Sequence, residues 1–225
     1  MITACIIICV FLILAFFIYA SYSIEAGVYL HSFCRKTTTE RIVALTFDDG
    51  PDQEQTPKVL NILKEYNAPA CFFCIGHKVA NNQELLKQVI SEGHILGNHS
   101  YSHANQFPLY SLPRMKKDLQ TCQSALEQVT SQPIKLFRPP FGVTNPTIAK
   151  AVRQLGYTSV GWNIRTLDTC QADTERVIRR IRKRLRPGSV ILLHDRMPDC
   201  EQLVKGILEL LKEQKYTVVR LDKML

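Results

Sequence analysis

The chain has 225 residues, 46% of them hydrophobic, and a formal net charge of +8. That length suits one compact domain with a full core and excludes an array of domains. Its eight cysteines lack the dense spacing of a small disulfide framework, and no low-complexity tract or short repeat is present.

The first charge after Met1 is Glu25, and the stretch 2–20, ITACIIICVFLILAFFIYA, is almost wholly apolar. It matches the roughly 20 residues that a bilayer core requires. No Lys or Arg precedes it, and Ile18 and Ala20 make a poor cleavage site, so an uncleaved membrane anchor over 1–24 is expected rather than a signal peptide. Arg35, Lys36 and Arg41 follow the anchor, and the positive-inside rule would hold what comes next in the cytoplasm. That rule governs short loops best, and a following domain of about 200 residues can override it. Both orientations stay open at this point.

After a linker over 25–41, apolar runs alternate with helical patterns. Strands are expected at 42–47, 70–75, 94–97, 136–138, 158–162, 189–193 and 217–221. The first helix opens at Thr56 and Pro57, with Val59, Leu60, Ile62 and Leu63 inward. The second spans 82–92 and stops at Gly93. The third, 111–130, carries Leu112, Met115, Leu119, Cys122, Leu126 and Val129 at steps of three and four. Asn145 and Pro146 start the fourth, which Gly156 ends. The fifth is the basic stretch ERVIRRIRKRLRPG, 175–188, whose Val177, Ile178, Ile181 and Leu185 keep helical spacing. Its cationic face is read as solvated, with attraction to acidic headgroups or an anionic polymer as the functional alternative. The sixth covers 200–214. The CFFC run at 71–74 falls within a strand, where Cys71 and Cys74 point to opposite faces and act as buried small hydrophobes.

A βα alternation of this kind implies parallel strands with right-handed crossovers, in an open sheet or a barrel, with functional groups at the C-terminal strand ends. Polar clusters follow five strands: DDGP (48–51), GNHSYSH (97–103), RPPFG (138–142), NIRTLD (163–168) and HD (194–195). Together they resemble a metal-assisted hydrolytic site. His99 and His103 are four apart, and with one carboxylate from a neighbouring strand end they make three protein ligands and an open position. Asp48 and Asp49 close a core strand side by side, and adjacent side chains there diverge. One can hold the ion while the other reaches a water as general base.

TFDDGP, HSYSH, RPPFG and LLH, in this order, resemble the motifs of the NodB-homology polysaccharide deacetylases, carbohydrate esterase family four, over residues 42–221. The resemblance implies a distorted (β/α) barrel of about seven parallel strands, preceded here by one transmembrane helix, with the catalytic domain at 42–225. It implies Asp48 as base, Asp49, His99 and His103 as ligands of a divalent metal, Arg138 orienting the base, the Phe141 N–H as oxyanion donor, and His194 as general acid. Zinc is expected, with cobalt or nickel as alternatives. Of the family's Asp-x-x-Asp-Trp pattern only the second acid remains, as Asp168, which tunes the histidine. Arg165 replaces the first acid, and Thr169 replaces the tryptophan that walls the sugar groove.

The function expected is removal of N-acetyl groups from a GlcNAc-containing polysaccharide, peptidoglycan or chitin-like, with no nucleic-acid partner. Because such polymers lie outside the cell, the single-pass anchor of residues 2–24 is expected to hold the domain outside the cytoplasm. The alternatives are a de-N-acylase of a lipid-linked sugar at the cytoplasmic face and a non-catalytic glycan-binding relative. Asp48 and His194 speak against the latter, since binding needs no proton relay. A non-haem iron oxygenase would share the ligands but has no need of TFDDGP and LLH.

Overall fold

The computed structural model describes residues 2–170 and 173–225. Eight strands, β1 (Ile42–Asp48), β2 (Ala70–Cys74), β3 (Ile95–Asn98), β4 (Leu136–Phe137), β5 (Thr158–Ser159), β6 (Ile164–Arg165), β7 (Ser189–His194) and β8 (Thr217–Val218), form one sheet. Its order is β5-β4-β3-β2-β1-β7-β6, and all these pairings are parallel. β8 stands off that row. It pairs with Ile42 and Val43 on the side of β1 that β2 takes over from Leu45 onward.

β5 and β6 follow one another in sequence yet occupy opposite edges of the sheet. The link 160–163 spans less than about 18 Å, so the sheet curls until its edges approach. The result is a half-barrel of seven parallel strands, the form that the family resemblance implies and that the alternation alone leaves open against an open sheet. Residues 30–36 fill the opening: Phe33 bridges Val160, Arg35 bridges Ser189, and Leu30, Ser32 and Cys34 are buried. The expected linker is therefore packed into the domain over much of its length.

Strand alternation sorts the β1 side chains into two sets. Val43, Leu45 and Phe47 join the layer formed with α2 (Gln55–Glu65), α3 (Gln83–Ser91), α6 (Thr174–Arg184) and α7 (Cys200–Glu213). Ala44 faces the barrel interior with Cys71, Phe73, Val190, Leu221 and Met224. α4 (Leu112–Thr130) and α5 (Pro146–Leu155) pack on Phe137 of β4. Cys71 and Cys74 fall in different clusters, as expected of residues three apart in a strand, and burial pushes both thiols up.

Three expectations need correction. The NIRTLD stretch contains a strand, β6, where a loop is expected; two residues are too few to show a period. Thr56 does not cap α2: Asp52 does, accepting from the Glu54 and Gln55 amides at 3.0 and 2.9 Å. The basic helix ends at Arg184, before Pro187. By contrast Asn145 caps α5 through Ile148 N at 2.8 Å, and Gly93 and Gly156, at φ of 88° and 70°, end their helices in the left-handed conformation that glycine favours.

α1 (Ile2–Tyr22) is long and apolar enough to cross a membrane, with a mean hydropathy of 3.0. Its end is held by the domain: Thr144 N donates to Ser21 O at 2.9 Å and Thr144 Oγ1 to Ala20 O at 3.2 Å.

Gly161 fills the seam between that end and the barrel, where Cys34 Sγ and Ile24 leave no room for a Cβ. Gly161→Ala should cost about 1–3 kcal/mol of stability, read from chemical denaturation of the full chain in detergent. Cys34→Ala in the same chain should recover part of the loss, because that sulfur is the nearest obstacle.

Candidate active site

The C-terminal ends of β1, β3, β4 and β7 converge on one cleft. Asp48 closes β1 on the interior face, in register with His194 of β7. Arg138, just after β4, lies fully buried inside the barrel. Its Nη1 donates to Asp48 Oδ1 at 2.7 Å and Thr46 Oγ1 at 2.9 Å; Nη2 reaches Gly161 O at 2.8 Å and Nε reaches Val160 O at 3.2 Å. The guanidinium also lies 4.2 Å from the Phe73 ring centroid. A buried cation needs such satisfaction, and here it fixes Asp48 through one oxygen.

Asp49 turns the other way. Its φ of 72° swings the carboxylate out of the strand alternation, and Gly50 follows where a Cβ would overlap the buried Asp195 carboxylate. Asp49 Oδ1 lies 3.5 Å from His99 Nε2 and 3.3 Å from His103 Nε2. These three donor atoms lie within 4.8 Å of one another. His99 Nδ1 is 2.9 Å from the Arg138 carbonyl, which can only accept, so Nδ1 carries a proton and Nε2 is the nitrogen turned toward Asp49. Burial, then the neighbouring His99, push the His103 imidazole down to about 4, leaving it neutral and able to ligate. Burial opposes the charge on Asp49, but His99, Arg196 and His103 outweigh it and hold the carboxyl well below the usual range. Two imidazoles and a carboxylate with an open side fit a catalytic divalent cation.

His194 donates Nδ1–H to Asp168 Oδ1 at 2.9 Å, and its backbone N–H reaches Asp168 Oδ2 at 2.8 Å. Burial pulls the imidazole down, yet the Asp168 hydrogen bond and charge, with Asp48 and Asp49 nearby, raise it above its ordinary value. Phe141 stands at the rim with a φ of 61°, its ring 4.8 Å from that of His103. All eight residues expected from the sequence thus gather at one end of the barrel.

The departures from the family pattern lie at the margin. Arg165 is exposed on β6, its carbonyl taken by Arg180. Thr169 N–H donates to Asp168 Oδ1 at 3.1 Å, and Thr169 lines a cavity of about 390 Å³ with Val177, Met197 and Leu203. Three contributors escape the sequence reading. Arg196 Nε holds Asp49 Oδ2 at 2.9 Å, Lys78 Nζ holds its carbonyl at 2.7 Å, and Thr46 shares the Arg138 guanidinium. Only Thr46 left a signal, since it lies two before Asp48 and so on the same strand face.

The family model described as polysaccharide deacetylase matches residues 35–160. A peptidoglycan-N-acetylglucosamine deacetylase of Bacillus cereus is 36% identical over 195 residues, covering 83% of this chain and 89% of its own. The crystal structure of a peptidoglycan N-acetylglucosamine deacetylase superposes with a TM-score of 0.81 at 29% identity, over 86% of this chain and 92% of that one. A CE4 family pseudoenzyme from Bacillus anthracis superposes at 0.79 and 26% identity, over 85% and 67%.

The raised His194 value has a pH signature. A folded value above the unfolded one adds stability that is fully present below the unfolded value, about 6.5, and is lost as pH rises through the folded value. The stability gap between the native chain and Asp168→Asn should therefore be widest in mild acid and shrink as pH climbs. Denaturation across that range checks it, and the His194 titration read by NMR should move down in the variant.

Proposed function

This chain belongs to the polysaccharide deacetylase family, and we propose that it removes the N-acetyl group from GlcNAc residues of a glycan, with peptidoglycan the foremost substrate and a chitin-like polymer next. As a member it is a hydrolase of N-acetyl amide bonds in polysaccharides. The observation that carries the finer reading is the division between Asp48, pinned by Arg138, and Asp49, turned toward His99 and His103.

Asp49, His99 and His103 would hold the metal, and a donor set of two imidazoles and a carboxylate favours zinc, with cobalt and nickel next. A divalent cation bound there supplies Lewis acidity, polarising the acetamide carbonyl and acidifying water. Asp48 is the general base. Arg138 occupies its Oδ1, while Oδ2 lies 3.8 Å from His99 Nε2, on the side where a water beside the three ligands loses its proton. The Phe141 N–H is the fixed donor for the oxyanion that forms on the acetyl carbon. His194 is the acid: Nδ1 stays on Asp168, and Nε2 delivers a proton to the leaving amine, which departs poorly without one. Asp168 acts through His194 as its positioning residue. A non-catalytic glycan-binding role finds no support in a site that keeps both the base and the acid.

The test is acetate release by the full chain in detergent from a panel of acetylated glycans, with zinc, cobalt or nickel added. Release from at least one is expected; none under any metal would remove the reading. Asp48→Asn should keep the metal and lose about 10²–10⁴-fold in turnover, the usual worth of a general base. Asp49→Asn, His99→Ala and His103→Ala should each lower metal content after dialysis, with excess metal restoring part of the Asp49→Asn activity. If Asp48→Asn empties the site and Asp49→Asn leaves it filled, the two roles are reversed.

A further inference from the structure

We infer that the face carrying the catalytic cleft lies on the bilayer in which α1 is embedded, so that the substrate is an N-acetylated sugar presented at the membrane surface by a lipid carrier. The substrate half rests on the deacetylase reading; the surface half does not.

The first observation is where the anchor ends. A helix of 21 residues is about 31 Å long, close to the thickness of a hydrocarbon core, about 30 Å. Tyr19 and Tyr22 in its last turn suit the interface. The last carbonyls of a helix have no partner within it, and here Thr144 takes those of Ala20 and Ser21. Thr144 lies three residues after Phe141, so the cleft rim stands within about 11 Å of the residue that holds the anchor's end. Ala20 and Ile24 are buried against the domain, which makes the end of α1 a seam of the fold. A tether would leave the domain free to stand off from the lipid; a seam does not.

The second observation is independent and concerns exposed apolar side chains. Outside α1, the exposed large hydrophobics among the described residues are Val28, Tyr101, Leu109, Phe141 and Leu225. Of these, Val28 lies in the segment that follows the anchor, and Tyr101, Leu109 and Phe141 lie in the loops after β3 and β4. Asn145, next to Thr144, donates to Pro108 O at 2.6 Å, which sets Leu109 beside the anchor's end, 84% exposed. Val28 follows the short turn Ile24–Ala26, and the next two residues, Tyr29 and Leu30, pack with Phe107 and Tyr110. Phe141 and Tyr101 could stack on a sugar, but Leu109 and Val28 have no ring to offer one. Two exposed aliphatic side chains near the foot of an apolar helix suit the boundary between headgroups and acyl chains. A cleft held at that level meets sugars that arrive in the plane of the membrane.

Trp162 is the sole tryptophan of the chain and serves as the probe. It touches Gly142, within the loop of Phe141, and follows Gly161, which packs on Ile24. The full chain is reconstituted in neutral phospholipid vesicles with or without a nitroxide on the lipid headgroup. Trp162 should lose most of its emission to the nitroxide. Val28→Asp combined with Leu109→Asp should recover it while acetate release from a soluble chitooligosaccharide is unchanged. In the same vesicles, N-acetylglucosamine on a lipid carrier should be deacetylated about tenfold faster or more than the free sugar, because both partners are confined to one surface. Emission indifferent to the headgroup nitroxide overturns the inference even if acetate is released. Quenching with equal rates on carried and free sugar overturns its substrate half. Quenching with no acetate from any substrate overturns that half together with the deacetylase reading and leaves the surface standing.

Discussion

The Arg138–Asp48 pair organises the rest of the site. A guanidinium with no exposure at all, inside a barrel otherwise lined by Ala44, Cys71, Phe73 and Val190, is tolerable only if its donors find acceptors, since breaking one partner of such a pair typically costs about 3–5 kcal/mol. Arg138 finds them on β1, in Thr46 and Asp48, and in the link after β5, at Val160 and Gly161. The same residue's carbonyl fixes the tautomer of His99. One buried cation thus couples the closure of the barrel, the orientation of the Asp48 carboxylate and the ring orientation of His99.

Local strain marks the same region. Asp49, Ser100, His103, Phe141 and Leu167 adopt positive φ without being glycine, and non-glycine residues held there cost of order 1–3 kcal/mol each, less for Asp than for bulkier side chains. Each lies in a loop after a strand that opens on the cleft. The surrounding hydrogen bonds over-determine these loops: Asp118 accepts from the Tyr101 and Ser102 amides, Ser100 Oγ accepts from His103 N, and Asp168 accepts from Thr169 N. Stability is given up to hold the side chains around the cleft in fixed positions.

Much of this was legible in the amino-acid sequence. Two acids at the mouth of an apolar strand, histidines four apart after another, and a histidine closing VILLH all lie where a parallel βα fold gathers its chemistry. The pairing of Asp48 with His194 in adjacent strands was not legible, because register between β1 and β7 is set by the whole sheet and not by either segment. Arg196 escaped notice because an exposed arginine in a loop after HD looks like any solvated cation until Asp49 is seen beside it. Residues 30–36 read as a linker since bridges of single residues leave no period, and β6 is too short to show one. Thr56 looked like a helix cap, yet the Asp52 carboxylate is better placed and leaves the Thr56 hydroxyl to the buried Asp195.

In the proposed mechanism a buried arginine divides two adjacent carboxylates between base and ligand. The measurement that addresses it most directly is a crystal structure of the zinc-loaded chain, with the ion located by its anomalous signal. Zinc is expected on Asp49, His99 and His103, with Asp48 outside the coordination shell and still bound to Arg138. Zinc held by Asp48, with the Arg138 guanidinium released from it, would contradict the account.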